Sequence, residues 1–258
     1  MKALANALLI SFSLSTCTIA SYAANDFQCH DFLKYGTPSK ADQYLCRRAY
    51  TVGYNYKTKQ PAWVAFKLTG QSVSKRIKRH NQFMPDPTIP QKYRSELSDW
   101  KKSGYDRGHL ASYASMDFNK ESAKESFYLS NMSPQKAGLN RQGWARLESD
   151  VRFWAKYKGE VYVYTGPIFQ GKKIKTIGKS KVAVPTSFFK IIYAPKQQQT
   201  IAFVMPNKRV AKNKVADYRT NIQHIERLTG FKFLSALPAT EQEKLSSTTS
   251  KMWKTHYG

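Results

Sequence analysis

The sequence is short of acid: 17 Asp and Glu stand against 42 Lys and Arg, so the 258-residue chain carries a formal charge of +25. It is also short of glycine and proline, with 13 and 11, which excludes collagen-like and low-complexity chains. Cysteine is nearly absent at three residues, too few for a disulfide-rich scaffold or for the paired-Cys motifs of zinc modules. Beyond the N-terminal segment there is no apolar run of the roughly 18 residues a membrane helix needs, which excludes a polytopic membrane protein. No internal repeat and no Ser-, Gly- or Pro-rich linker divides the rest, so residues 24–258 read as a single domain. What is present is core material: 41% of residues are hydrophobic and 14% aromatic, enough to exclude disorder. A compact state with this much like charge repels itself, and the usual reason to carry it is a polyanionic partner: nucleic acid, anionic lipid or a sulfated glycan. A merely solubilising surface would mix both signs.

The first 23 residues have their own grammar. Lys2 is followed by an apolar stretch from Ala3 to Ala20 and the small-x-small ending Ser21-Tyr22-Ala23, the pattern of a cleaved secretory signal peptide. Ser11, Ser13, Ser15, Thr16 and Thr18 dilute the segment and no basic stop-transfer cluster follows, which speaks against a retained anchor. Lipid attachment at Cys17 would need a small residue where Thr16 stands. The expected product is exported, periplasmic or extracellular, with no stable membrane association after cleavage. It keeps two cysteines, Cys29 and Cys46, which form one disulfide in an oxidising compartment or stay as two buried thiols.

Strands are expected at Trp63 to Thr69, Val161 to Thr165, Phe188 to Tyr193 and Thr200 to Met205, all rich in β-branched and aromatic residues. A helix is expected from Leu139 to Tyr157, where Trp144, Leu147, Val151 and Trp154 form one stripe and Gly159 ends it. A shorter helix carries Ile222, Ile225 and Leu228, with Thr220 as its cap and Gly230 as its close. Trp144 and Trp154 lie on the apolar stripe and are read as core rather than as base-stacking platforms. The mixture is an α+β architecture.

Chemistry concentrates between Gly104 and Leu147. Asp106-Arg107-Gly108-His109 packs acid, guanidinium, glycine and imidazole into one short run, where the glycine would let the backbone approach a ligand. Ser130 to Gln135 reads as a turn, and Leu139-Asn140 opens the Trp-striped helix that carries Glu148 and Arg152. The carbonyl oxygen of an asparagine suits a hard Mg2+ that keeps most of its waters and takes other bonds from substrate phosphate. His30, His80, His224 and His256 have no comparable company and are read as surface or structural.

The run from Asp106 to Ala114, with Cys46 to Tyr50, Trp63 to Phe66, Thr165-Gly166-Pro167 and Arg227 to Gly230, resembles the DNA/RNA non-specific endonucleases of the Serratia nuclease and endonuclease G type. The resemblance implies a mixed, mainly antiparallel sheet flanked by helices, with a ββα-metal active-site motif. It implies hydrolysis of DNA and RNA, single- and double-stranded, to 5′-phosphorylated products, with Mg2+ as cofactor and Mn2+ as a possible substitute. Position by position, His109 matches the general base, Asn140 the metal ligand, and Glu148 a carboxylate behind the metal waters. Arg107 matches the motif arginine, Asn131 an active-site asparagine and Arg152 a phosphate-side arginine. Arg79 fits the upstream arginine, with Arg76 as its rival. Phe127 departs from the pattern, standing where the Serratia enzyme has an asparagine, so a polar contact near the site is expected to be missing.

Elementary chemistry agrees with this set: phosphodiester hydrolysis needs an activated water, which an imidazole can provide, and fixed positive charge where negative charge grows. Glu148 and Arg152 are also spaced for an ordinary helical ion pair. Lys101-Lys102 and Lys172-Lys173 are candidate nucleic-acid contacts or simply a solvated face, and phosphate contacts of this kind carry little sequence information. A non-catalytic basic binder would leave the polar run around His109 unexplained, and an HNH-type nuclease would need motifs the chain lacks. A homodimer stays open.

Overall fold

The computed structural model describes Cys29 and residues 31–255. The leader and the expectations for His30 and His256 lie outside these residues. Eleven strands run in chain order: β1 (Gln43–Cys46), β2 (Thr51–Asn55), β3 (Gln60–Thr69), β4 (Asp106–His109), β5 (Met132–Gln135), β6 (Glu160–Ile168), β7 (Thr176–Ile177), β8 (Val182–Ala183), β9 (Ser187–Ala194), β10 (Gln199–Pro206) and β11 (Arg219–Thr220). Among the described residues these helices accompany them: α1 (Leu97–Trp100), α2 (Tyr113–Met116), α3 (Lys120–Glu125), α4 (Ala145–Lys158), α5 (Ile222–Thr229) and α6 (Ala239–Ser247).

The main sheet has seven strands in the order β1-β2-β3-β6-β9-β10-β11, with every neighbouring pair antiparallel. All four expected strands lie in it, each somewhat longer than its apolar run. Its centre is covered on both faces, which is why β9 is buried along its whole length and reads as a continuous apolar run rather than an alternation. Alternation sorts the side chains instead. Phe188, Ile192 and Ala194 face the layer that holds Trp144, Leu147 and Trp154, whereas Phe189, Ile191 and Tyr193 face the layer with Ile222, Ile225 and Leu245. Lys190 is in register with the first set and is buried in that layer.

Helix α4 ends where expected, at Gly159 with φ 87°, and α5 ends at Gly230 with φ 73°. The N-cap of α5 is Asn221 rather than Thr220, because the Asn221 side chain accepts from His224 N while Thr220 is drawn into β11. The expected start of the long helix also differs: Leu139–Trp144 is a widened π turn that leads into α4. Trp144 and Trp154 are core, at 0% and 1% exposure. Ser130 to Gln135 is not a turn; a short 3-10 segment, Leu129–Asn131, runs into β5, which pairs antiparallel with β4. The β4-β5 ribbon followed by the π turn and α4 is the local ββα unit on which the site is built. Gly108 in β4 is needed for packing: a Cβ there would strike the side chain of Gln135 on the paired strand β5, so the close approach is to the protein interior and not to a ligand.

Cys29 and Cys46 are joined by a disulfide, with Cα atoms 5.3 Å apart, which ties the start of the described chain to the end of β1. Among the described residues no helix is long and apolar enough to cross a membrane.

Candidate active site

The ββα unit opens on a groove of about 680 Å3, and Arg79, Arg107, His109, Asn140, Glu148 and Arg152 all line it. These come from a loop, from β4, from the π turn and from successive turns of α4, so the fold converges residues spread over seventy positions of sequence.

His109 ends β4. Its ring packs against Phe83 at 5.6 Å and edge-on to Phe127 at 5.4 Å. Nε2 is sealed in without a hydrogen-bond partner, which leaves Nδ1 as the ring nitrogen available to the groove. Burial, and then the guanidiniums of Arg79 and Arg107, push its pKa down to about 3, so the imidazole rests in its neutral form at physiological pH. The polar contact expected to be missing at Phe127 is replaced by an aromatic wall of Phe83, Tyr113 and Phe127. The His109 carbonyl is held from below by the Trp144 indole N–H at 3.2 Å.

Asn140 sits in the π turn, where its amide nitrogen donates to Asp106 Oδ2 at 2.9 Å. That bond fixes which way the amide points. Its Oδ1 accepts no hydrogen bond from the described residues and is free to meet a ligand. Asp106 also takes a two-pronged bond from Arg141, at 2.8 Å for each prong. Partial burial raises the Asp106 pKa, but the hydrogen bonds from Arg141 and Asn140 outweigh it and hold the carboxyl below its ordinary range.

Glu148 follows in the first turn of α4. Burial raises its pKa above the carboxylate range against the pull of Lys190, Arg152, Arg79 and the Trp144 indole. It makes no direct ion pair with Arg152; the i, i+4 pair on this helix is Arg146 with Asp150, at 2.9 Å. Arg79 stacks over Tyr113 and Phe127, 5.2 and 5.4 Å from the ring centres, and Arg107 over Phe83 at 4.2 Å. Aromatic faces thus hold both guanidiniums at the groove wall. Arg76 donates to the Ala114 carbonyl at 2.9 Å and pairs with Asp117, and of the two arginines only Arg79 lines the groove.

Two expectations meet a different placement. Asn131 is fully buried and spends its amide on the backbone: Nδ2 donates to the Ala111 and Ser126 carbonyls at 2.8 and 2.9 Å, and Oδ1 accepts from Ala111 N at 2.9 Å. It fastens the segment after His109 and has nothing left for substrate. Of the lysines, Lys101 lines the groove, Lys102 is exposed beside it, and Lys173 lines an adjoining cavity that shares Tyr105 with the groove; Lys172 lines neither. Sequence reasoning misses Asp106 as the holder of Asn140 and Lys190 beneath the site. Asp106 is in view within the motif, and a lone lysine inside an otherwise apolar strand is the available signal for Lys190.

The oxygens at the site suit a hard cation. Asn140 offers a free carbonyl oxygen and Glu148 a carboxylate. Among the described residues no group of three or more His, Cys, Asp or Glu forms a metal cage, so a cation here would keep much of its water, as Mg2+ does.

Residues 29–240 match the family model described as DNA/RNA non-specific endonuclease. The chain belongs to that family. It is therefore a non-specific endonuclease, a phosphodiester hydrolase of a metal-dependent family. Nuclease C1 of Cunninghamella echinulata is 33% identical over 234 residues, covering 84% of this chain and 93% of that protein. Human mitochondrial endonuclease G is 34% identical over 218 residues, covering 79% of this chain and 73% of its own. A crystal structure of an EndoG/EndoGI complex superposes with a TM-score of 0.77 at 32% identity, covering 82% of this chain and 93% of that one. The shared fold is α+β on a seven-stranded antiparallel sheet. Several family relatives, including Nuclease 1 of Schizosaccharomyces pombe, are named as mitochondrial.

Proposed function

We propose that this endonuclease hydrolyses both DNA and RNA, single- and double-stranded, with His109 as general base and Asn140 as the protein ligand of one Mg2+. The observation that carries the reading is that His109, with Nε2 sealed, lines one groove together with Asn140 and four arginines, Arg79, Arg107, Arg141 and Arg152. His109 Nδ1 takes the proton from the attacking water, a contribution on the order of 10²–10⁴ in rate. Arg107, Arg152 and Arg79 hold positive charge at fixed positions around the phosphate, which stabilises the charge that grows on its oxygens. Asn140, oriented by Asp106, would hold the cation, and Glu148 would accept from waters around it. Bound Mg2+ would supply Lewis-acid neutralisation and an acidified water for the leaving oxygen, leaving a 5′-phosphate on the product.

Residues 1–23 are proposed to serve as a secretory leader and residues 24–258 as one nuclease domain, in the periplasm or medium. The Cys29–Cys46 bridge supports an oxidising compartment, although relatives are named for mitochondria. Plasmid and RNA digestion with and without EDTA, beside a His109→Ala control, tests the chemistry. Activity that survives both chelation and the substitution would refute it. Fractionation with N-terminal mass determination tests export, and an intact N-terminus in the cytoplasm would refute that.

A further inference from the structure

Lys190 is a lysine in the middle of the central sheet with 1% of its surface exposed. Its ammonium has poor company for so costly a burial. Nζ donates to Thr165 Oγ1 at 3.3 Å and to the Leu110 carbonyl at 3.5 Å, both long, and it makes no direct ion pair among the described residues. It lies 4.5 Å from the centre of the Trp144 ring. A methionine would fill the same slot with no charge to desolvate, so fold stability does not explain the residue. Its neighbours do. Leu110 follows His109 directly, Trp144 donates to the His109 carbonyl, and the Glu148 carboxylate is the opposite charge that acts most strongly on the ammonium. Leu110 and Trp144, two of its contacts, are thus each one step from His109, which lines the groove.

We propose that Lys190 is a positioning residue of the nuclease site, a buried cation that sets the Glu148 carboxylate and the main chain after His109 from beneath. The inference rests on the assignment of Glu148 to the metal waters. The Trp144 ring, with Lys190 over its face and the His109 carbonyl at its N–H, links that charge to the strand that carries the base.

The test compares Lys190→Met, Lys190→Gln, Glu148→Gln and the Lys190→Met/Glu148→Gln double variant. Thermal midpoint is read first, then Mg2+ binding by calorimetry without nucleic acid, then kcat and KM on a plasmid. Lys190→Met is expected to keep or raise the midpoint, weaken Mg2+ binding by about tenfold, and lower kcat with KM little changed. Lys190→Gln, which keeps a donor toward Leu110 but no charge, should weaken Mg2+ binding as Met does. In the double variant the Met substitution should add nothing to Glu148→Gln. Wild-type Mg2+ affinity in Lys190→Met, full recovery in Lys190→Gln, additive losses, or a fallen midpoint in both Lys190 variants would each overturn the proposal. If Glu148→Gln alone leaves Mg2+ binding untouched, the assignment of Glu148 fails first, and a loss in Lys190→Met would then need another cause.

Discussion

Asp106→Ala should disable metal binding without removing a metal ligand. The Asn140 side chain can present either its oxygen or its nitrogen to the groove by turning about its last torsion, and the bond to Asp106 Oδ2 at 2.9 Å selects the oxygen. A hydrogen bond to a charged group contributes roughly 1.5–3 kcal/mol. The Asp106 side chain is 19% exposed, so the lower half of that range applies. With about 1.4 kcal/mol per factor of ten, the loss is about 10- to 50-fold in Mg2+ affinity, within the range for outer partners of metal ligands. Asp106→Asn keeps an acceptor for the Asn140 amide and should lose less. Arg141→Ala is the control: its side chain is 70% exposed, so its two bonds to Asp106 are screened by water and its removal should cost far less than that of Asp106. Mg2+ titration of plasmid nicking gives the half-saturating concentration, and calorimetry in a His109→Ala background gives the affinity without turnover. An unchanged Mg2+ requirement in Asp106→Ala, or an equal loss in Arg141→Ala, would refute the orienting argument.

His109→Ala should lose at least about two orders of magnitude in rate while gel-shift affinity for DNA stays near wild type, and a variant with more than about a tenth of the activity would remove His109 as the base. The half-saturating Mg2+ should rise as pH falls, because the raised Glu148 pKa means that this carboxylate takes up its proton above the ordinary carboxylate range near about 4.3, while His109 at about 3 stays neutral. Glu148→Gln should flatten that dependence in a pH series of Mg2+ titrations. Cys46→Ser, or reductant, opens a loop with a sequence separation of 17, worth about 3 kcal/mol, and should lower the thermal midpoint by roughly 6–12 °C in a calorimetric scan. Charge reversal at Lys101 should flatten the log-log salt dependence of DNA binding by about 0.9 for each phosphate that is no longer neutralised, whereas reversal at Lys172, away from the groove, should leave the slope unchanged.

The centre of the fold was legible because its apolar runs are long. Trp63 to Thr69, Val161 to Thr165, Phe188 to Tyr193 and Thr200 to Met205 are continuous because both faces of the sheet are covered, and continuity survives without knowledge of partners. The edge was less legible. Gln43–Cys46 and Thr51–Asn55 are short and mixed, and only pairing with each other and of the second with β3 makes them strands. Asp106–His109 and Met132–Gln135 are polar for the same reason that makes them useful: they form a ribbon whose side chains serve the groove on one side and a buried glutamine on the other. Local sequence reads Ser130 to Gln135 as a turn, and tertiary pairing with β4 overrides that preference.

At the site, residues that show themselves to substrate are found from their company in sequence, while those that hold them are not. Arg79 and Arg76 are equivalent as letters. They separate only because one is stacked over Tyr113 and Phe127 at the groove and the other is spent on Asp117. Asn131 is recognisable in sequence as belonging to the site but not for its task, since hydrogen-bond accounting requires the partner atoms: three backbone bonds leave it no capacity for a phosphate. Charge behaves the same way. The net +25 is visible in composition and says that a polyanion is the partner, but it does not place a cation relative to the chemistry. Lys190 differs from the forty-one other basic residues by sheet register alone. Antiparallel pairing with Thr165 and Phe203 turns it toward Trp144 and the floor of the groove, and a shift of register by one would have turned it toward Phe233 and the opposite layer, where no ionised group of the site could use it.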